Sequence, residues 1–151
     1  MERISSFSID HDKLQKGMYI SRTDFDDIIT YDIRMKRPNM DDYVPNGAAH
    51  TFEHLFATYV RNSRIKDHVV YAGPMGCRTG FYFLTKNLPH VDALDVTREA
   101  MAFILSFTGD IPGATAVECG NYREQDLEGA KTIAADMLDV LKDWTEDDMH
   151  Y

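Results

Sequence analysis

The sequence predicts an α+β fold, with one antiparallel β-sheet packed against helices in a single domain spanning residues 1–151. Three observations lead there. β-Branched and aromatic runs crowd the first third of the chain. Segments with helix-period apolar residues follow. Strands come first and helices mixed with strands follow, which points to helices against one antiparallel sheet. A chain of 151 residues suits one domain. At this size roughly 70% of the unfolded surface is buried on folding, enough for a core without staples.

Residues 18–21 and 28–35 read as strands, the second partly alternating through Ile28, Ile29, Tyr31, Ile33 and Met35. The Asp-rich connection 23–27 reads as a hairpin loop. Pro38, Pro45 and Asn46-Gly47 mark a loop over 38–47. A helix is expected over 48–62. Two strands, 69–71 and 79–84, flank a glycine-rich elbow. An apolar-periodic helix covers 92–107, and a turn 109–113. A last amphipathic helix covers 126–144, with Ile133, Met137, Val140, Leu141 and Trp144 on one side.

Sixteen Lys and Arg against 25 Asp and Glu give a net charge of -9. Such a balance argues against nucleic acid or an anionic membrane as the main partner. No apolar run approaches the ~20 residues of a membrane span, and the first residues show no secretory signal. A cytoplasmic protein is expected. Six of the nine net negative charges fall in 121–151, which reads as a solvated final helix with a frayed tail.

The chemistry concentrates in His50-Thr51-Phe52-Glu53-His54. Four residues apart on a helix, His50 and His54 lie about 40° apart around the axis and can share one metal ion. Glu53 stands beside them as a candidate base. The apolar stripe Phe52, Leu55, Phe56, Tyr59, Val60 lies on another side. The stripe can therefore be buried while the histidines face a cleft, although a histidine pair packed in a core remains an alternative. The H-x-x-E-H order also occurs in a class of zinc peptidases.

Only two cysteines are present, Cys77 and Cys119. Cys77 sits in the turn Gly73-Pro74-Met75-Gly76-Cys77-Arg78-Thr79-Gly80. Its glycines permit backbone shapes closed to other residues and close approach of a small substrate. Arg78 would favour a thiolate there, while a buried structural cysteine is the plain alternative. Cys119 with His50 and His54 would make a three-ligand set with an open fourth position, suited to Zn²⁺ or Fe²⁺, but the 65 residues from His54 to Cys119 are no motif by themselves. A structural zinc in a binding domain is the reading from another class.

These segments, with Ser6-Phe7-Ser8-Ile9-Asp10-His11 and Tyr31-Asp32-Ile33-Arg34-Met35-Lys36-Arg37-Pro38-Asn39, resemble in order S-ribosylhomocysteine lyase, the LuxS family. The resemblance covers nearly the whole chain. It implies a homodimer with active sites at the subunit interface and one Fe²⁺ per subunit, replaceable by Zn²⁺ or Co²⁺ on purification. It implies that His50, His54 and Cys119 are the metal ligands, that Cys77 and Glu53 are the acid/base groups, and that Ser6, His11 and Arg34 contact substrate. The implied reaction splits S-ribosylhomocysteine into homocysteine and 4,5-dihydroxy-2,3-pentanedione, the precursor of the autoinducer-2 quorum-sensing signal. It runs by two carbonyl shifts along the ribose and a β-elimination, with the metal as Lewis acid, and it recycles a product of methyl transfer from S-adenosylmethionine. One departure stands out: Tyr71-Ala72-Gly73 replaces the Asp-Ile-Ser run common in that family.

Overall fold

A computed structural model describes all residues, Met1–Tyr151. Four strands, β1 (Gly17–Asp24), β2 (Ile28–Arg34), β3 (Val69–Pro74) and β4 (Gly80–Lys86), form one sheet in the order β1-β2-β4-β3. Every neighbouring pair is antiparallel. Three helices, α1 (Asn46–Arg61), α2 (His90–Ser106) and α3 (Leu127–Leu141), pack on one another, and α1 also packs on β3. The α+β architecture is the expected one.

Alternation along β2 sends Ile29, Tyr31 and Ile33 into the helix-covered core. There Phe52 and Phe56 of α1 meet Phe81 and Phe83 of β4, with ring centroids 5.0–5.3 Å apart. Edge-to-face pairs of this kind add about 0.5–1.5 kcal/mol each beyond burial. The other face of β2 presents Thr30, Asp32 and Arg34, and these are buried too. That second burial matters below, because it places a carboxylate and a guanidinium on a face where a half-exposed sheet would meet water.

Element ends differ from the sequence reading in instructive ways. Helix α1 begins at Asn46, so the Asn-Gly pair lies inside it. Gly47 is needed for proximity, not for a turn: a β-carbon there would come within 3.3 Å of the Asp126 side chain. The carbonyl of Gly47 accepts the Asp126 amide at 3.2 Å. Asp126 then caps α3 by accepting from the Gly129 amide at 2.8 Å. At the far end α3 stops at Leu141, three residues short of Trp144. Trp144 leaves the helix to donate its indole N–H to the Met18 carbonyl (3.0 Å).

The expected frayed tail is ordered. A capping box between Thr145 and Asp148 closes a short 3₁₀ turn. Met149 is fully buried, and its carbonyl accepts the Ile20 amide at 2.8 Å. Acidic composition favoured solvent in the sequence reading; one apolar side chain and one strand-edge hydrogen bond outweigh it. No helix is long and apolar enough to cross a membrane.

Candidate metal and acid/base site

Helix α1 buries Phe52, Leu55, Phe56 and Val60, as the stripe predicted, and leaves His50, Glu53 and His54 half-buried on another side. Residues 110–126, between α2 and α3, pass over that side. Cys119 arrives from this segment, its sulfur 3.4 Å from His50 Nε2, while the two imidazole Nε2 atoms lie 3.0 Å apart. The three ligating atoms all fall within 4.8 Å of one another.

Backbone carbonyls set the tautomers. His54 Nδ1 lies 2.7 Å from the Pro112 carbonyl, and His50 Nδ1 lies 2.8 Å from the Glu124 carbonyl. A carbonyl only accepts, so each Nδ1 carries the proton and each Nε2 presents a lone pair. The Gln125 amide nitrogen also approaches His50 Nδ1, at 3.2 Å; the shorter carbonyl contact decides the assignment. Two lone pairs and a sulfur thus converge with no hydrogen between the imidazoles. Bare acceptors at 3.0 Å repel, and a cation turns that repulsion into binding. The donor set therefore fits a soft to borderline divalent ion. The hydrogen bonds that the two Nδ1–H groups donate to these carbonyls are the outer support such sites use.

Sequence reasoning missed the carbonyl partners, since any residue supplies a carbonyl. A signal existed in the turn 109–113. Gly113 has φ +70°, and a β-carbon on it would sit 3.3 Å from His54 Nδ1. Glycine there lets the loop press its backbone against the imidazole.

The Cys77 turn lies between β3 and the start of β4. Cys77 is exposed, which removes the buried structural reading. Two expectations are corrected. The left-handed residue of the elbow is Arg78 (φ 61°), and no glycine of the turn has a positive φ. Gly80 is instead tightly packed, since a β-carbon would meet the Met75 sulfur at 2.8 Å and the Ile33 carbonyl oxygen at 3.2 Å, whereas Gly76 faces open space. The second correction concerns charge. Arg78 donates to the Val44 carbonyl (3.1 Å) and covers the Tyr43 ring, so its guanidinium is engaged away from the sulfur. The cation near Cys77 is Arg34, whose Nη1 lies 3.9 Å from the sulfur and 2.7 Å from the Thr79 hydroxyl.

Arg34 is only 3% exposed and pairs with the equally buried Asp32 at 2.6 Å. Cys77 is exposed as a residue, but its sulfur is partly enclosed by Thr79 and Arg34, and the lost hydration pushes the thiol up. Hydrogen bonds from the Thr79 hydroxyl and amide, with the charge and N–H of Arg34, outweigh that and bring it below its ordinary value.

Two cavities meet at Met75 and Gly76. One, of about 320 Å³, is lined by His50 and Glu53 with Phe52, Phe81 and Glu124. The other, of about 250 Å³, is lined by Ser6, His11, Arg34 and Cys77 with Asp32 and Tyr151. The structure thus gathers His50, His54 and Cys119 at one point, and Ser6, His11, Arg34 and Cys77 around another. Glu53 belongs to the first cavity and Cys77 to the second, and Met75 and Gly76 line both.

A family model described as S-Ribosylhomocysteinase (LuxS) matches residues 4–148. The chain is 45% identical to the S-ribosylhomocysteine lyase of Phocaeicola vulgatus, over 100% of this chain and 98% of the relative. It is 44% identical to that of Clostridium beijerinckii and 43% to that of Borreliella afzelii, each over 100% of this chain and 99% of the relative.

Proposed function

This chain belongs to the S-ribosylhomocysteine lyase (LuxS) family, and from that premise we propose that it cleaves S-ribosylhomocysteine to homocysteine and 4,5-dihydroxy-2,3-pentanedione. His50, His54 and Cys119 are the residues that would hold Fe²⁺, or Zn²⁺ or Co²⁺ after purification. When bound, such an ion supplies a Lewis acid for a substrate oxygen on which negative charge develops. The observation that carries the reading is the convergence of two deprotonated Nε2 atoms and the Cys119 sulfur beside Glu53.

The chain's own groups handle protons and position. In this reading Cys77, as thiolate, takes a proton from one ribose carbon and returns it to the neighbour, so the carbonyl moves by one carbon; two such shifts bring it next to the carbon that must lose a proton. Glu53 moves protons on the hydroxyls. In the last step it assists loss of the proton adjacent to the carbon–sulfur bond as that bond breaks and homocysteine leaves. The lowered thiol supports the first role, since a base must be deprotonated at working pH. Gly76, with open space at its α-carbon, leaves room for a ligand along the wall shared by the two cavities.

Ser6, His11 and Arg34 line the Cys77 cavity and are proposed as substrate contacts. A homodimer with its sites at the interface completes the reading. Its support is the exposure of Ile4 and Phe7 beside Ser6, apolar residues that a second copy would cover. The proposal places the enzyme in the cytoplasm, with homocysteine returned to methyl metabolism and the dione feeding a signal.

The test is release of free thiol from S-ribosylhomocysteine by anaerobically purified protein, with metal measured on the same sample and mass in solution by sedimentation. Homocysteine release that scales with metal content is expected. Fully metallated protein that releases no thiol, or that cleaves peptides instead, would overturn the reading.

A further inference from the structure

The ordered segment after α3 ends against the Cys77 cavity, and its last side chain makes a contact that the reaction scheme does not use. Tyr151 stacks on Tyr19, with ring centroids 5.0 Å apart and planes at 17°. Its hydroxyl donates to Asp32 Oδ2 at 2.7 Å, and it lines the same cavity as Cys77 and Arg34. Burial, then the Asp32 charge, push the Tyr151 phenol far above its ordinary range, so it stays protonated and a donor.

The Asp32–Arg34 pair is open, not forked. Asp32 Oδ2 takes both Arg34 Nη2 (2.6 Å) and the Tyr151 hydroxyl, while Arg34 Nη1 reaches Thr79 and faces the Cys77 sulfur. Two buried atoms are left without partners, Asp32 Oδ1 and Arg34 Nε. These are atoms that a two-point fork between carboxylate and guanidinium would use. Two hydroxyls sit on the open pair, that of Thr79 on Arg34 Nη1 and that of Tyr151 on Asp32 Oδ2.

We propose that Tyr151 is a positioning residue for the Cys77 half of the site: by pinning Asp32 Oδ2 it keeps the Asp32–Arg34 pair open, so that Arg34 Nη1 stays on Thr79 and toward the Cys77 sulfur. Without the hydroxyl the pair closes on itself and draws the guanidinium away from the thiolate. This rests on the assignment of Cys77 to acid/base work, but it concerns the thiol's environment and is testable without turnover.

The groups facing Cys77 are few. Arg34, Asp32, His11, Tyr82 and Tyr151 line its cavity, and Arg78 is turned to Val44 and Tyr43. The experiment is the pH dependence of Cys77 alkylation by iodoacetamide, read by mass spectrometry on the Cys77 peptide of metal-loaded protein. Parent, Tyr151→Phe, Asp32→Asn and the double variant are compared. Tyr151→Phe keeps the ring on Tyr19. Its alkylation curve is expected to move up by about half a pH unit, roughly threefold slower alkylation at a pH below the midpoint, since one unit is tenfold in thiolate ratio. In the Asp32→Asn background the same change is expected to do nothing more.

Curves that superimpose for parent and Tyr151→Phe overturn the proposal. So does a shift of equal size in the Asp32→Asn background. Should Tyr151→Phe melt lower, the curves are taken well below both melts, and a lower melt with an unmoved curve assigns Tyr151 to packing alone. A shifted Tyr151→Phe curve together with metal-loaded parent protein that releases no homocysteine would sink the reading of function and leave this one standing.

Discussion

The two halves of the site are built by different means. The imidazole pair comes from one helix, where residues four apart share a side whatever surrounds them. Its supports are backbone carbonyls of the 110–126 segment, Pro112 and Glu124. The Cys77 half comes from strand register. Arg34 pairs across the sheet with Gly80, which sets its guanidinium beside Thr79 and Cys77 at the start of β4. The contrast teaches that a ligand pair can be local while the charge that tunes a thiol is not. The nearest cation in sequence, Arg78, is the wrong one.

The variants that separate the halves rank by size. His54→Ala removes a lone pair from the trio, and both metal content and thiol release are expected to fall to background; a fully metallated variant would take His54 out of the ligand set. Cys77→Ala and Glu53→Gln are expected to lose about 10²–10⁴-fold in turnover, the usual worth of a placed acid or base. Each should bind metal as the parent does, as elemental analysis would show. Metal loss in Cys77→Ala would mean that the halves are not independent.

Arg34→Met leaves Asp32 as an unpaired buried charge and is expected to cost about 3–5 kcal/mol in denaturant unfolding. The same variant sharpens the electrostatic point. Arg34 lowers the thiol, so its removal raises it, the thiolate fraction at neutral pH falls, and the rising limb of rate against pH moves to higher pH. An unmoved limb would leave Thr79 as the sole tuning group. The smallest effect belongs to Arg78→Met, whose alkylation curve at Cys77 is expected to match the parent's. If it moved as far as that of Arg34→Met, the assignment of the nearby cation would be reversed.

Much of this was legible beforehand, for reasons that can be named. The strands, the three helices and the buried stripe of α1 follow from period and residue type, which act over a few residues. The His50–Glu53–His54 cluster follows from helical spacing in the same way. Cys119 could be joined to the histidines only through resemblance, because 65 residues of chain carry no spacing rule. The proposed roles of Ser6 and His11 rested on resemblance as well. What the structure adds there is their place in one cavity with Cys77 and Arg34.

The misreadings share a cause. Asn46-Gly47 looked like a turn because glycine's usual role is conformational; its role here is to let α3 approach. The elbow glycines were credited with unusual backbone, but Arg78 adopts it. The acidic end of the chain looked frayed because charge favours water, yet Met149 and Tyr151 find seats on β1 and β2. Each error concerns what lies opposite a residue, and that depends on segments distant in sequence.

By itself the sequence determined the element types, the core stripe and the pairing of two histidines on one side of a helix, since these depend on neighbours within a turn of helix or a few strand residues. Only the tertiary structure decided which carbonyls fix the histidine tautomers, which arginine faces Cys77, and that Tyr151 reaches Asp32. Those outcomes depend on how the 110–126 segment, strand register and the last residues meet, and no local preference encodes such meetings.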